Sequence, residues 1–174
     1  MFIWVASASS EDRCNTTGAG SADIHELAKV VPIPNINGVC AIIYEKTDEA
    51  LFFLLFKRNS NWKGWESLKG KCLPNERPED AIKRVVSEKI KKFGVKEMLV
   101  QKRAFPVGGD QHDYAVFLVE SYTNIPVNMK EEKKKHDNYI WLSRSEAVSR
   151  LQWPEEKAVY DEAVKMIVSK QSTI

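Results

Sequence analysis

The strongest constraint on the fold is a single amphipathic helix that follows a loop punctuated by glycine and proline. Over residues 78–93, apolar side chains recur at the spacing of a helix that buries one face: Ile82, Val86, Ile90 and Phe93. Pro78 suits the first turn of this helix, and Gly94 suits its C-terminal cap. Because glycine and proline interrupt residues 68–79, no long regular element is expected there. The sequence therefore predicts a loop–helix unit near the middle of the chain.

Runs of β-branched and aromatic residues predict strands on both sides of this unit. Residues 39–44 and 51–56 flank a polar turn and predict a hairpin. Further elements are predicted later in the chain: strands at 98–105, 114–121 and 139–142, and helices at 145–151 and 154–168. Because short turns link neighbouring strands, we expect a mixed, largely antiparallel sheet. Helices before and after the later strands predict an α/β/α sandwich with this sheet in the middle.

Length and composition indicate one globular domain. The chain has 174 residues, 43% of them hydrophobic, with a formal net charge of +2. These values exclude a wholly disordered chain, and the bulk charge excludes a polybasic nucleic-acid binder. Residues 1–24 are rich in Ser, Thr, Gly and Ala and show no sustained period. We therefore expect a loosely ordered N-terminal arm at 1–24 and a single domain at 25–174.

The sequence also argues for a cytoplasmic protein. No apolar run approaches the roughly 18 residues that a membrane helix needs. The apolar stretch at the N-terminus is short and follows no basic residue, unlike a secretory signal. Three cysteines without a Cys-x-x-Cys pair favour a reducing compartment over a zinc site or a disulfide framework. Neither a membrane nor a structural metal is therefore expected as a partner.

Residues 65–95 carry a spaced pattern of glycine, glutamate and arginine: Gly70, Glu76, Arg84, Val86 and Glu88. This pattern resembles the signature of the Nudix hydrolases, which cut substrates built on a nucleoside diphosphate. The resemblance extends over about residues 37–170 and implies a Nudix-type α/β/α sandwich. Residues 139–147 are similar to the diadenosine tetraphosphate hydrolase branch of that family, in which an aromatic-Trp-Leu strand leads into a helix.

The resemblance implies a metal site that this chain has largely lost. In the family, three carboxylates on one helix face hold divalent metals, usually Mg²⁺, or act as the base. The corresponding positions here are Val85, Glu88 and Lys89, so one carboxylate of three remains. Glu88 is thus the candidate catalytic residue and metal ligand if the protein is active. Lys91 replaces the glycine that ends the family's helix, which predicts one additional helical turn.

The pattern at residues 70–88 is called the box below. Because it lacks two of the three carboxylates, it predicts a catalytically weak or inactive domain, and an active enzyme is the alternative. Such an enzyme would be a Mg²⁺-dependent pyrophosphohydrolase acting on nucleoside polyphosphates such as dinucleoside tetraphosphates. It would need further carboxylates, for which Asp110, Asp113 and Glu120 are candidates. Asp110 is more typical of a turn, and His112 of a surface loop, than of a catalytic group. A purely structural role inside an assembly is a third possibility. In every case the resemblance implies that Gly70, Glu76 and Arg84 keep the structural part of the box.

The charge around the box is basic where the family is acidic. Residues 83–103 contain two acidic residues, Glu88 and Glu97, and eight basic ones: Lys83, Arg84, Lys89, Lys91, Lys92, Lys96, Lys102 and Arg103. This excess predicts metal-independent binding of a nucleotide polyphosphate, an RNA phosphate or an acidic protein surface. The candidate phosphate-binding residues are Lys69, Lys71, Lys89 and Trp65, although a solvated helix face explains the same charges. Trp62 and Trp65 can stack on a base or pack in the core.

Overall fold

The structure is a computed structural model, and it describes residues 36–107, 110–130 and 135–170. Seven strands and three helices follow one another along the chain: β1 Gly38–Lys46, β2 Leu51–Arg58, β3 Gly64–Glu66, β4 Leu68–Lys71, α1 Pro78–Lys89, β5 Gly94–Val107, β6 Asp110–Glu120, β7 His136–Ser143, α2 Arg144–Arg150 and α3 Pro154–Ser169. The predicted arm at 1–24 lies outside the described residues, so the predicted domain boundary stays a prediction.

All seven strands form one mixed sheet in which β1 is central. β1 pairs antiparallel with β2 and β4 and parallel with β6. β6 pairs antiparallel with β5, and β2 pairs antiparallel with both β3 and β7. The predicted hairpin is formed by β1 and β2, in which Tyr44 lies opposite Phe53. One parallel pair among antiparallel ones confirms the predicted sheet.

The two faces of the sheet carry two separate apolar cores, because alternate residues of a strand point to opposite faces. Val39, Ala41 and Ile43 of β1 pack on the side of α1, together with Ile82 and Val86 of that helix. The intervening residues of β1 pack on the other side against α2 and α3: Cys40, Ile42 and Tyr44. The α/β/α sandwich is therefore confirmed. No helix of the described chain has both the length and the apolar character needed to cross a membrane.

Helix α1 ends earlier than the sequence predicted. It ends at Lys89, and Ile90 already has an extended backbone with φ of −131°. Ile90 forms an isolated bridge with Val127, and the Asn128 N–H donates to the Lys89 carbonyl oxygen at 2.7 Å. These contacts stop the helix without a glycine. The predicted extra turn was wrong, because pairing with a distant segment replaced the next helical hydrogen bonds.

Three other boundaries differ from the prediction. No strand was predicted at Gly64–Glu66, where β3 lies, and β7 begins at His136 rather than at the predicted residue 139. Strand β5 begins at Gly94, immediately after the turn that follows α1. In each case a polar residue lies within a strand because backbone pairing, rather than side-chain pattern, sets the strand's length.

Gly70 on β4 allows α1 to lie close against the sheet. A Cβ atom added at Gly70 would lie 2.3 Å from Val85 Cγ2, well inside van der Waals contact. Val85 is buried and belongs to the core on the α1 side. A glycine is therefore needed at position 70 because a larger side chain would overlap Val85.

Replacing Gly70 with alanine should destabilise the domain by about 1–3 kcal/mol, because overpacking forces the helix or the strand to shift. Urea unfolding followed by circular dichroism measures this change. Gly94→Ala is the matched control, since a Cβ there meets only Lys96 Cε, at 3.8 Å. A Gly70→Ala variant as stable as the Gly94→Ala variant would contradict the close contact.

Candidate functional site

The loop before α1 is held onto the helix by an ion pair between Glu76 and Arg84. Arg84 Nε donates to Glu76 Oε1 at 2.8 Å, and Arg84 Nη2 donates to Glu76 Oε2 at 2.7 Å. Arg84 Nη2 also donates to the Lys71 carbonyl oxygen at 2.9 Å, and the Leu73 N–H donates to Glu76 Oε2 at 2.8 Å. The hydrogen bonds from Arg84 and Leu73 lower the pKa of Glu76 to about 2. The two residues thus tie β4, the loop and α1 together.

The loop turns at Asn75, which has a left-handed backbone with φ of 62°. Asparagine tolerates this conformation better than most residues with a side chain. The turn directs Glu76 back toward α1, so the box keeps its loop geometry although asparagine stands where the family usually has glycine.

The three positions of the implied metal site share one side of α1 but differ in burial. Val85 is 5% exposed and lies in the apolar core on the α1 side. Lys89 is 4% exposed, so its position is also buried. The Glu88 side chain is 63% exposed, and its Oε1 lies 3.7 Å from Arg84 Nη1. Within residues 36–107, 110–130 and 135–170, no group of three His, Cys, Asp or Glu residues could hold a metal ion. The residues present therefore do not fit the metal that the family implies.

Two of the further carboxylates considered as substitutes, Asp110 and Glu120, lie at opposite ends of one strand. Asp113 lies in the first half of β6, where its backbone N–H contacts the Asn37 side chain. Glu120 is the last residue of that strand and pairs with Lys96 Nζ at 2.5 Å. Asp110 begins β6, and His112 pairs with Phe105 of β5. The strand separates Asp110 and Glu120 by ten residue steps, about 33 Å.

Lys69 lies in a buried ion-pair network rather than at the surface. Its Nζ lies 3.0 Å from Glu156 Oε1 on α3 and 3.4 Å from Glu66 Oε2. Burial alone would lower the pKa of the Lys69 ammonium, but these two carboxylates raise it above its usual value. The predicted contact of Lys69 with phosphate is untested, and these contacts favour a structural role instead.

Glu66 joins the network to β7. It accepts from Arg58 Nη1 at 3.0 Å and hydrogen-bonds His136 Nε2 at 3.1 Å. Glu156 accepts from the Ser67 N–H at 2.8 Å, while its Oε2 is buried without a hydrogen-bond partner. Glu66, His136 and Glu156 were not among the residues predicted from the sequence to have a role. The signal for Glu156 was its position three and seven residues before Val159 and Ala163, on the buried face of α3.

The domain should lose stability in acid partly through Glu66. Burial raises the pKa of Glu66, but the hydrogen bond with His136 and the charges of Lys69, Lys135 and Arg58 lower it to about 2. A carboxyl with a lowered pKa stabilises the folded state above its ordinary value of 4.5, and this stabilisation disappears as the pH falls toward 2. Unfolding free energy should therefore drop between about pH 4.5 and pH 2.

Urea unfolding at a series of pH values measures this dependence, with Glu66→Gln as the comparison. The wild type should show the steeper loss, whereas part of the slope should remain in Glu66→Gln because the pKa of Glu76 is also lowered. Equal slopes in the two proteins would contradict the assignment to Glu66.

The two tryptophans before the box lie near the junction of α2 and α3. Trp65 packs against the core on the α3 side, and the Arg150 guanidinium lies 5.6 Å from its ring centre. Trp62 contacts the Trp153 ring edge to face at 6.0 Å. Lys71 is exposed at the end of β4. Lys69 contacts Glu156 of α3 on one face of the sheet, whereas Lys89 lies on α1 against the other face, so these two candidates are not neighbours. Their contact with phosphate stays a prediction.

The basic residues counted between Lys83 and Arg103 also separate in space. Arg103 pairs with Glu162 of α3 at 2.6 Å, on the face of the sheet opposite α1. Lys96 pairs with Glu120, and Lys92 lies over the Tyr122 ring at 5.3 Å. Lys83, Arg84 and Lys91 remain on or just after α1. The basic residues that are neighbours in sequence therefore do not form one basic surface, and Lys83, Arg84 and Lys91 are the ones that stay together near α1.

Comparison with known proteins identifies the family. The model of the NUDIX domain matches residues 34–163, and no curated protein matches the chain. An Ap4A hydrolase of C. elegans, solved as a binary complex, has a TM-score of 0.67 at 17% identity, covering 77% of this chain and 98% of that one. The MutT protein of Methanosarcina mazei has a TM-score of 0.58 at 18% identity, covering 75% and 94%.

A third similar structure contains a nucleotide. The NUDIX domain of Shewanella oneidensis NrtR, complexed with ADP ribose, has a TM-score of 0.58 at 14% identity and covers 76% of this chain and 88% of that one. At such identities these structures establish the shared fold. Because the family model covers most of the chain, including the loop and helix of the box, the chain belongs to the Nudix family.

Proposed function

We propose that this Nudix domain binds a nucleoside polyphosphate without metal-dependent hydrolysis. The observation that carries the proposal is which side chains occupy the three positions of the implied metal site on α1, and how buried they are. Val85 and Lys89 are built into the protein interior, and the exposed carboxylate of Glu88 faces the Arg84 guanidinium. The loop is held on α1 by Glu76 and Arg84, and one of the three positions carries a carboxylate.

The physical argument concerns the charge that a divalent cation needs. Mg²⁺ is held in proteins by carboxylates together with substrate phosphates and water. A single exposed carboxylate beside a guanidinium supplies little net negative charge, and the ammonium of Lys89 on the same helix opposes a cation further. Losing groups that act together reduces turnover by several orders of magnitude. Binding can survive this loss, because phosphates can be bound by cationic side chains directly.

The choice of ligand rests on the family and on the remaining cations. A Nudix domain with the same fold binds ADP ribose, which contains a nucleoside diphosphate. Lys71, Lys83 and Lys91 are exposed on or beside the loop–helix unit of this chain. A nucleotide polyphosphate therefore fits the charge at this unit, while RNA and an acidic protein surface are the competing partners.

The alternative is an active Mg²⁺-dependent pyrophosphohydrolase that uses Glu88. The observation in its favour is the exposure of the Glu88 side chain at the family's position on α1. This alternative requires turnover that depends on both Glu88 and the metal, whereas the proposed function requires neither.

Titrating fluorescently labelled ATP tests the proposal by anisotropy, with EDTA in one series and Mg²⁺ in the other. We expect binding in EDTA, with an affinity that Mg²⁺ does not increase. Unlabelled single-stranded RNA and a poly-glutamate peptide serve as competitors, and each should compete less well than unlabelled ATP. Binding that requires Mg²⁺, or no binding at all, would contradict the proposal.

A further inference from the structure

An open groove lies on the outward side of α1, across the helix from Val85 and Lys89. It is open, has a volume of about 460 Å³, and is lined by Lys83, Arg84, Ser87, Phe93 and Val95. On a helix with 3.6 residues per turn, Lys83 and Ser87 lie on the side opposite Val85 and Lys89. The groove is therefore separate from Val85 and Lys89, while Glu88 borders it, with Oε1 3.7 Å from Arg84 Nη1.

The lining combines cations with an apolar wall. Lys83 is exposed, and Arg84 is half-buried because it also holds Glu76. Phe93 and Val95 are half-buried and pack against the core on the α1 side. The described lining includes no acidic side chain. Such a surface complements a ligand that carries negative charge at one end and a flat apolar group at the other.

Ser87 lies between the cationic and apolar parts of the groove. Its hydroxyl donates to the Arg84 carbonyl oxygen at 2.7 Å and retains lone pairs that can accept another hydrogen bond. The Ser87 carbonyl oxygen accepts from Lys91 Nζ at 3.1 Å, which holds that ammonium next to the helix end. The basic character of the groove thus extends along one turn of α1.

We propose that this groove is the nucleotide site, with the base packed against Phe93 and the phosphates bound by Lys83 Nζ and by Arg84 Nη1, since Nε and Nη2 of Arg84 already donate to Glu76 and to the Lys71 carbonyl oxygen. This inference rests on the proposed function and adds a location to it. The volume is within the roughly 300–1,000 Å³ usual for small-molecule sites. A positively charged rim with an aromatic wall fits a nucleoside diphosphate in both charge and shape.

The distribution of charge favours a small ligand over an RNA chain. A single-stranded nucleic acid needs a continuous basic track along its backbone. Beyond the groove, Lys92 lies over Tyr122, while Lys96 and Arg103 are paired with carboxylates. These three cations outside the groove are therefore engaged, whereas those that line it are two neighbouring residues of α1, Lys83 and Arg84.

Two substitutions place negative charge in the groove without removing a core contact. Lys83→Glu reverses the charge of an exposed side chain. Ser87→Glu introduces a carboxylate that has Lys83 four residues before it and Lys91 four residues after it, so the helix should remain stable. Lys165→Glu on α3 is the matched control for Lys83→Glu, because it makes the same charge change at an exposed position of another helix.

Calorimetric titration of ADP in EDTA measures the effect on affinity. We expect Lys83→Glu and Ser87→Glu to weaken binding about tenfold, which is the loss of one charge-assisted hydrogen bond. Lys165→Glu should stay within about twofold of the wild type, as expected of a charge far from the site. Equal weakening by Lys165→Glu would show that only the overall charge matters and would overturn the assignment.

Amide chemical shifts provide the second measurement on the wild-type domain. ADP should move the resonances of residues 83–95 more than those of α3. Wild-type binding that persists in both groove variants, with shifts elsewhere, would refute the location and leave the proposed function standing. No binding by the wild type would refute the proposed function itself.

Discussion

Replacing Lys69 with methionine should destabilise the domain by about 3–5 kcal/mol, the usual cost of removing one partner of a buried ion pair. Glu156 is fully buried, its Oε1 lies 3.0 Å from Lys69 Nζ, and its Oε2 has no hydrogen-bond partner. Without the ammonium, the Glu156 carboxylate keeps only the Ser67 N–H as a hydrogen-bond donor among the contacts described above. Urea unfolding measures the loss.

Two further variants identify the cause of this loss. Lys71→Met changes an exposed lysine two residues away and should shift the unfolding free energy by less than about 0.5 kcal/mol. Adding Glu156→Gln to Lys69→Met should recover part of the stability, because a neutral amide still accepts from Ser67 and leaves no buried charge. A stable Lys69→Met protein, or a double variant less stable than Lys69→Met, would refute the structural role of Lys69.

Restoring the family's carboxylates through Val85→Glu with Lys89→Glu should cost about 3–5 kcal/mol in EDTA. Both positions are buried, and two carboxylates would lose their hydration there. The same substitutions complete the acidic face together with Glu88. If the loop and helix still have the geometry of a metal site, Mg²⁺ should stabilise the variant, by about 2.7 kcal/mol at a concentration of 100 Kd.

Thermal unfolding in EDTA and in increasing Mg²⁺ separates the two effects. Ser149→Glu with Lys165→Glu is the control, because it makes the same net charge change at exposed positions of α2 and α3. The control should show neither the loss in EDTA nor the recovery in Mg²⁺. An unchanged stability of the Val85→Glu, Lys89→Glu variant in EDTA would contradict the burial of these positions. A wild type stabilised by Mg²⁺ as strongly as the variant would contradict the loss of the metal site.

Much of the fold was predictable because local pattern and tertiary structure agree. The polar turn between two apolar runs predicted the β1–β2 hairpin, and the helix predicted at 154–168 corresponds to α3 at Pro154–Ser169. The end of α1 was not predictable in this way. Ile90 continues the helical spacing, but its pairing with Val127 changes its backbone, and nothing within the helix indicates that partner.

The site was less predictable than the fold because its charges are paired over long distances. Lys69 was a candidate phosphate-binding residue, yet the carboxylate that it pairs with, Glu156, lies 87 residues later. A count of charges along residues 83–103 also cannot show that these residues lie on two opposite faces of the sheet. Arg103 lies within that count and pairs with Glu162 on α3, while Lys83 lies beside the groove on α1.

The most direct test of the central claim is hydrolysis of diadenosine tetraphosphate, in Mg²⁺ and in Mn²⁺, by the wild type and by Glu88→Gln. Since Glu88 is exposed, its replacement should leave the fold intact, and unfolding in urea verifies this. We predict no turnover above the enzyme-free rate in either metal, and no difference between the two proteins. Metal-dependent turnover by the wild type that falls in Glu88→Gln would contradict a domain that binds nucleotides without hydrolysing them.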